Sequence, residues 1–238
     1  MRDTRARLIV PALPAVGETV RIRGEEAVHA RARRLAPSDS VVLIDGTGRE
    51  AVAEVLRVER GGMVLRATEI RRREASANET SLLVAGLRPE RLAWTVQKAT
   101  ELGVGRVVVV ESERTQSFRA GAGISRLERV AREASKQCGR SDWPSVVGPV
   151  ELARVINEER SPHRLFLDFA GDRFPRRLSP GSCALLVGPE GGWTEIERRD
   201  ASDRGWKIVS LPAGRLRAET AAIAGLVLVS AAREGKTR

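Results

Sequence analysis

The chain has 238 residues, 42% of them hydrophobic and 30% charged, a balance that suits a folded protein and a length that predicts two domains. No apolar run is long enough to span a bilayer, and the basic start lacks the apolar core of a secretory signal, so a cytoplasmic protein is expected with no membrane partner. Basic residues outnumber acidic ones 41 to 31, a net charge of +10, which points to a polyanion such as nucleic acid; only four of the 41 are lysine, a bias that a GC-rich genome also produces.

Up to about residue 72 the chain reads as short strands between Gly, Pro and Asp turns: "RARLIVP", "ETVRIR", "SVVLIDG", "REAVAEVLRV" and "GMVLRATEI". Their spacing predicts a small barrel, 1–72. One helix, "EEAVHARARRLA", interrupts it and sets His29, Arg33 and Arg34 on a basic side. From 73 to 238 strands and helices alternate. "SLLVAGL" is a strand, and "PERLAWTVQKATELG" is a helix with Leu92, Val96, Ala99 and Leu102 at helical spacing and Gly103 as its stop. "RVVVV" is a buried strand, and "ISRLERVAREASKQCG" is a helix with Leu127, Val130, Ala131, Ala134 and Cys138 on one stripe. Then follow "ELARVINEE" (helix), "RLFLDF" and "CALLV" (strands), "TEIERRDASDRG" (helix), "KIVSL" (strand) and "AETAAIAGLVLVSAARE" (helix, apolar nearly all round). This is an α/β pattern with a largely parallel sheet, in which ligands sit outside the carboxyl ends of strands.

Three strands there end in unusual loops: "DFAGD", "GPEGG" and "LPAGRLRAET". Glycines let backbone approach a ligand and proline stiffens the turn; Thr194 with Glu197 three residues on fits a capping box, placing a helix start just after "GPEGG". The loop has neither the P-loop ending nor the G-x-G-x-x-G spacing, and glycine-rich strand-to-helix turns also occur without a ligand. Cys138 and Cys183 lack metal or disulfide spacing and are expected as two buried thiols; His29 and His163 are isolated, so no metal site is expected.

"VGPEGGWTEIE" followed by "LPAGRLRAETA" resembles the paired signature of the RsmE family, the ribosomal RNA uracil-N3 methyltransferases of the SPOUT superfamily. "KATELGV" with "SERTQS", "EASKQCGRSDWPSV" and "RARRLAPSDSVVLIDGTG" are similar to further family segments in the same order, and together they cover most of the chain. The resemblance implies a PUA-like RNA-binding β-barrel at 1–72 and a SPOUT-type trefoil-knotted α/β methyltransferase domain at 73–238. It further implies S-adenosyl-L-methionine as cofactor, 16S ribosomal RNA within the small subunit as substrate, and a homodimer.

Carried over residue by residue, it implies cofactor contacts from Leu167, Val187, Gly188, Pro189, Glu190, Gly191, Gly192, Leu211, Leu216, Arg217, Thr220 and Ala221. Arg217 and Glu219 are the candidate catalytic pair, one stabilising charge on a uracil oxygen and the other accepting the N3 proton; Glu219 equally suits a carboxylate at a helix N-terminus. RNA contacts are expected from Arg5, Arg7, Arg33, Arg34, Arg114 and Arg140, with surface ion pairs to Glu113 or Asp142 as the alternative for the last two. Trp143 and Trp193 are candidates for base stacking or for packing anchors. The chain departs from the family pattern at Pro212, where glycine is usual, and at Gly214, where an arginine is usual and Arg215 stands beside it. A SPOUT enzyme methylating a ribose 2′-oxygen and a noncatalytic RNA-binding assembly protein are the rival readings.

Overall fold

A computed structural model describes residues 6–72, 79–115 and 122–234, which fall into two compact units. One takes the described residues up to 72 together with Arg132–Trp143, and the other takes the rest.

The first unit is a curled five-stranded sheet. Its strands are β1 (Ala6–Ile9), β2 (Thr19–Arg23), β3 (Ser40–Ile44), β4 (Arg49–Glu59) and β5 (Gly62–Arg72), ordered β1-β3-β4-β5-β2. All neighbours are antiparallel except β1 and β3. Period-two alternation turns Leu8, Leu43, Ala53, Val55, Met63 and Leu65 inward, and the ladder between β4 and β5 shifts register twice, which bends the long strands. Helix α1 (Gly24–Ala32) contributes Ala27 and Ala30 to that core. It is shorter than its sequence suggests. Arg33 is its C-cap and Arg34 lies beyond at φ 55°, so these two arginines stand past the helix rather than along its basic side.

Arg132–Trp143 ties into this unit through polar bonds. Lys136 is buried between Glu26 and Glu133, each at 2.9 Å. Burial opposes its charge, but the two carboxylate hydrogen bonds outweigh that and raise its pKa. Cys138 is exposed, against the expectation of a buried thiol, because the helix stripe ends one turn earlier at Ala134 and Ser135.

The second unit is a six-stranded, wholly parallel sheet of order β11-β9-β10-β6-β7-β8. The strands are β6 (Thr80–Ala85), β7 (Arg106–Glu111), β8 (Ser145–Glu151), β9 (His163–Arg173), β10 (Cys183–Val187) and β11 (Lys207–Ser210). The helices are α2 (Pro89–Glu101), the part of α3 (Ala122–Cys138) up to Ala131, α4 (Leu152–Glu158), α5 (Glu195–Asp203) and α6 (Ala218–Glu234). Both faces of the sheet are covered: Leu82, Val84, Leu185 and Val187 face a core shared with α2 and α6, while Leu83, Leu186 and Phe166 face α4 and α5. Strands buried on both sides read as unbroken apolar runs, which is why "RVVVV" and "CALLV" stand out. β8 was not anticipated, because Gly148-Pro149 interrupts a run that would otherwise read as a strand. Leu102 falls beyond α2 and is partly exposed instead of joining its buried stripe. Among the described residues, no helix is long and apolar enough to cross a membrane.

Candidate cofactor site

The carboxyl ends of β9, β10 and β11 open into a cavity of about 550 Å³ within the second unit. One wall follows β10. At Gly188 a Cβ would lie 2.7 Å from the Trp193 ring, so only glycine lets the strand turn under that indole. Trp193 itself is buried, its ring 4.5 Å from that of Phe166, and its indole N–H donates to the Leu167 carbonyl at 2.9 Å. The Gly192 amide closes the turn on the Pro189 carbonyl at 2.9 Å. The expected capping box is present: Thr194 Oγ1 accepts from the Glu197 amide and Glu197 Oε2 accepts from the Thr194 amide, which starts α5. Glu197 also accepts from the Glu113 amide at 3.0 Å, and Arg114 donates to the Gly191 carbonyl at 3.1 Å.

The facing wall is the segment after β11, with Leu211, Ala213, Gly214, Arg215, Leu216 and Arg217, continued by Ala218 and Ala221 of α6. Leu167, Asp168 and Phe169 of β9, Val187 at the end of β10 and Val209 of β11 complete the lining, with Arg91 from the first turn of α2. Arg91 is the residue that sequence reasoning missed. Its guanidinium pairs with Glu190 of one wall and lies 3.6 Å from Glu219 in the first turn of α6. A basic residue in a helix's first turn carries no local signal of this; only the strand order brings "PERLAW" against both loops.

Of the expected cofactor contacts, Leu167, Val187, Gly188, Pro189, Glu190, Gly192, Leu211, Leu216, Arg217 and Ala221 line the cavity. Gly191 and Thr220 are exposed and do not line it. Glu219 also lies off the lining, with Oε2 buried and without a hydrogen-bond partner. The expected RNA contacts divide. Arg33 and Arg34 are exposed. Arg7 is mostly buried and donates to Glu50 at 2.8 Å and to Ser141 at 3.0 Å, while Arg140 is buried and grips Asp142 through two bonds of 2.9 and 3.1 Å. Arg7 and Arg140 thus spend guanidinium donors inside the first unit, with the Arg7 Nε buried and unpaired, and Arg114 braces the "GPEGG" loop. Arg5 lies outside the described residues. Trp193 is a packing anchor, and Trp143 has Arg132 5.7 Å from its ring centre.

The cavity suits a nucleoside cofactor in size, falling within the roughly 300–1,000 Å³ of small-molecule sites. Its lining is largely apolar and glycine-rich, with charged groups among the described residues only from Arg91, Asp168, Glu190, Arg215 and Arg217. Such walls offer apolar faces and close approach to backbone, the chemistry a purine and a methionine chain require.

Residues 74–230 match the family model for the RNA methyltransferase domain. The chain is 32% identical over 232 residues to Ribosomal RNA small subunit methyltransferase E of Mycobacterium bovis, covering 91% of this chain and 88% of that one. It is 26% identical to the Rickettsia conorii protein of the same name, with 94% of each chain covered. Among solved structures, Ribosomal RNA small subunit methyltransferase E of Neisseria gonorrhoeae, bound to S-adenosyl methionine, superposes with a TM-score of 0.88 at 26% identity, covering 96% of this chain and 98% of that one. The fold is thus the SPOUT-type knotted α/β methyltransferase fold preceded by a PUA-like barrel. A glycine-shaped cavity at the carboxyl ends of three parallel strands, in a chain alike over nearly its whole length to these proteins, places it in the ribosomal RNA small subunit methyltransferase E family of RNA methyltransferases.

Proposed function

We propose that this chain transfers a methyl group from S-adenosyl-L-methionine to N3 of a uracil in 16S ribosomal RNA. The observation that carries the reading is the cavity between the "GPEGG" wall and the Leu211–Ala221 wall, with Arg217 at its edge. When bound, the cofactor supplies an electrophilic methyl on a sulfonium sulfur and leaves as a neutral thioether. The residues of the two walls would hold it, and positioning of the methyl for the incoming base would supply much of the rate. Uracil N3 must first lose its proton, after which its lone pair forms the new N–C bond while the C–S pair returns to sulfur.

Arg217, exposed at the cavity, meets the negative charge that deprotonation places on a uracil oxygen. Glu219, off the lining but 3.6 Å from Arg91 of the lining, is the group assigned to receive the proton. Glu219→Gln is expected to lower turnover by about a hundredfold while cofactor affinity stays within about twofold. Unchanged turnover would reduce Glu219 to a helix-start carboxylate.

The barrel at 1–72 binds RNA, with Arg33 and Arg34 as exposed phosphate contacts, and the domain at 73–238 carries the chemistry in the cytoplasm. Two copies form a homodimer, for which Trp94 of α2 and Val227 of α6 are exposed apolar groups on packed helices. The test is to incubate the protein with S-adenosylmethionine and small ribosomal subunits from cells lacking the native enzyme, digest the RNA and identify nucleosides by mass spectrometry. Enzyme-dependent 3-methyluridine is expected. A ribose-methylated product alone would move the chain to another SPOUT activity, and absence of both product and cofactor binding would favour a noncatalytic RNA-binding protein.

A further inference from the structure

Strand β9 does not run straight past the cavity. Ile208 of β11 pairs with Phe166, but the next residue, Val209, pairs with Asp172, so residues 167–171 have no partner in β11 and bulge from that ladder. The bulge is held at Leu167, Asp168 and Gly171. The Trp193 indole holds the Leu167 carbonyl at 2.9 Å. Asp168 accepts from the Ala170 amide at 2.8 Å and pairs with Arg198 of α5 at 3.3 Å. Gly171 brings the returning leg so close to β11 that a Cβ there would lie 2.6 Å from the Val209 nitrogen. What this held loop presents at its tip is Phe169, 62% exposed and lining the cavity.

A phenyl ring left in water at the mouth of a cavity forgoes the burial that most large apolar side chains find. The chain has only four Phe, four Trp and no Tyr, and the cavity's other aromatic, Trp193, is buried against Phe166. Phe169 is therefore the one exposed aromatic face at the site among the described residues. Arg215 and Arg217, both exposed, share that cavity and bring positive charge to it.

We infer that Phe169 is the platform on which the target uracil stacks after leaving its RNA stack. This rests on the reading that a uracil is methylated here. Every base has a π-face, so an aromatic ring holds an unstacked base in plane whatever its edge, and a fixed plane is what in-line attack from an edge nitrogen requires. Phe169 is exposed where it lines the cavity and so is open to a ring that comes from solvent.

The direct test is photo-crosslinking of RNA carrying 5-iodouridine at the target position to the full chain with S-adenosylmethionine present. The expected adduct lies on Phe169, within the tryptic peptide 165–173, and disappears in Phe169→Leu. In parallel, Phe169→Ala is expected to lower kcat/KM for small subunits about tenfold, chiefly through KM, with cofactor Kd within about twofold; Phe169→Trp retains activity. An adduct elsewhere or none at all, a cofactor Kd that rises as far as kcat/KM falls, or Phe169→Leu matching Phe169→Trp would each overturn the assignment. Adducts on Phe169 without 3-methyluridine would sink the uracil-N3 reading alone, whereas normal 3-methyluridine formation by Phe169→Ala would sink the stacking role alone.

Discussion

The two walls of the cavity are built on opposite plans. The "GPEGG" wall is over-determined: an indole packed on Phe166 lies over Gly188, a capping box ends the loop, and Arg114 and Arg91 tie it to neighbouring segments. The wall from Leu211 to Arg217 has few such ties. Its own backbone bonds are a short contact of the Ala213 amide to the Leu211 carbonyl and the α6 bond from the Ala221 amide to the Arg217 carbonyl, and Pro212, Ala213, Gly214 and Arg215 are exposed. One wall is a template fixed in advance by its own contacts, and the other has few contacts of its own to fix it. Preorganisation on one side lowers the ordering cost of binding, while looseness on the other gives cofactor and RNA a way in.

The contrast breaks first at Trp193. Trp193→Ala removes a buried indole, its hydrogen bond to Leu167 and the roof over Gly188, and is expected to destabilise the chain by about 3–5 kcal/mol in urea unfolding. Arg217→Ala on the other wall should stay within about 0.5 kcal/mol of the unaltered chain, whatever it does to turnover. Equal losses in both variants would mean that the second wall is as firmly built as the first.

The braced wall also continues down its strand. Cys183 opens β10 fully buried, and burial pushes its thiol from 9.0 up to about 11. A raised pKa favours the protonated form in the fold, so this contribution is complete below pH 9, where the unfolded thiol is also protonated, and is lost as pH rises toward 11. Unfolding free energy should fall by about 2–3 kcal/mol across that window, and Cys183→Ala should flatten the fall. The raised pKa of Lys136 acts only above the ordinary lysine value of 10.5, which separates the two at pH 9–10. A slope unchanged in Cys183→Ala would show that β10 is not sealed from solvent.

The braced wall was also the legible one. Unbroken apolar strands, a Gly-Pro break and the Thr194–Glu197 spacing are local signals, and each stands in the structure where the sequence places it. The bulge at 167–171 and the bridging role of Arg91 were not legible, because both depend on which strands are neighbours. "RLFLDF" reads as a plain strand until β11 is known to skip from Phe166 to Asp172. The arginines show the same limit: Arg7 and Arg33 look alike in sequence, but alternation along β1 brings one against Glu50, while the early stop of α1 leaves the other in solvent.

The smallest effect tests the loose wall itself. Gly214 stands where the resemblance leads to an expected arginine, yet its φ lies outside the left-handed region and a Cβ there would meet nothing within 4 Å. Neither conformation nor space demands glycine. Gly214→Ala should therefore stabilise the chain by about 0.4–1 kcal/mol, because alanine reduces the freedom of the unfolded state without opposing the folded one. Cofactor titration by calorimetry then decides what the looseness is for. Affinity that rises or holds means the wall as it stands is already the binding shape. Affinity that falls while stability rises means that a Cβ opposes the bound state, so that glycine stands at this lining position to leave room for the cofactor or for the segment to move around it.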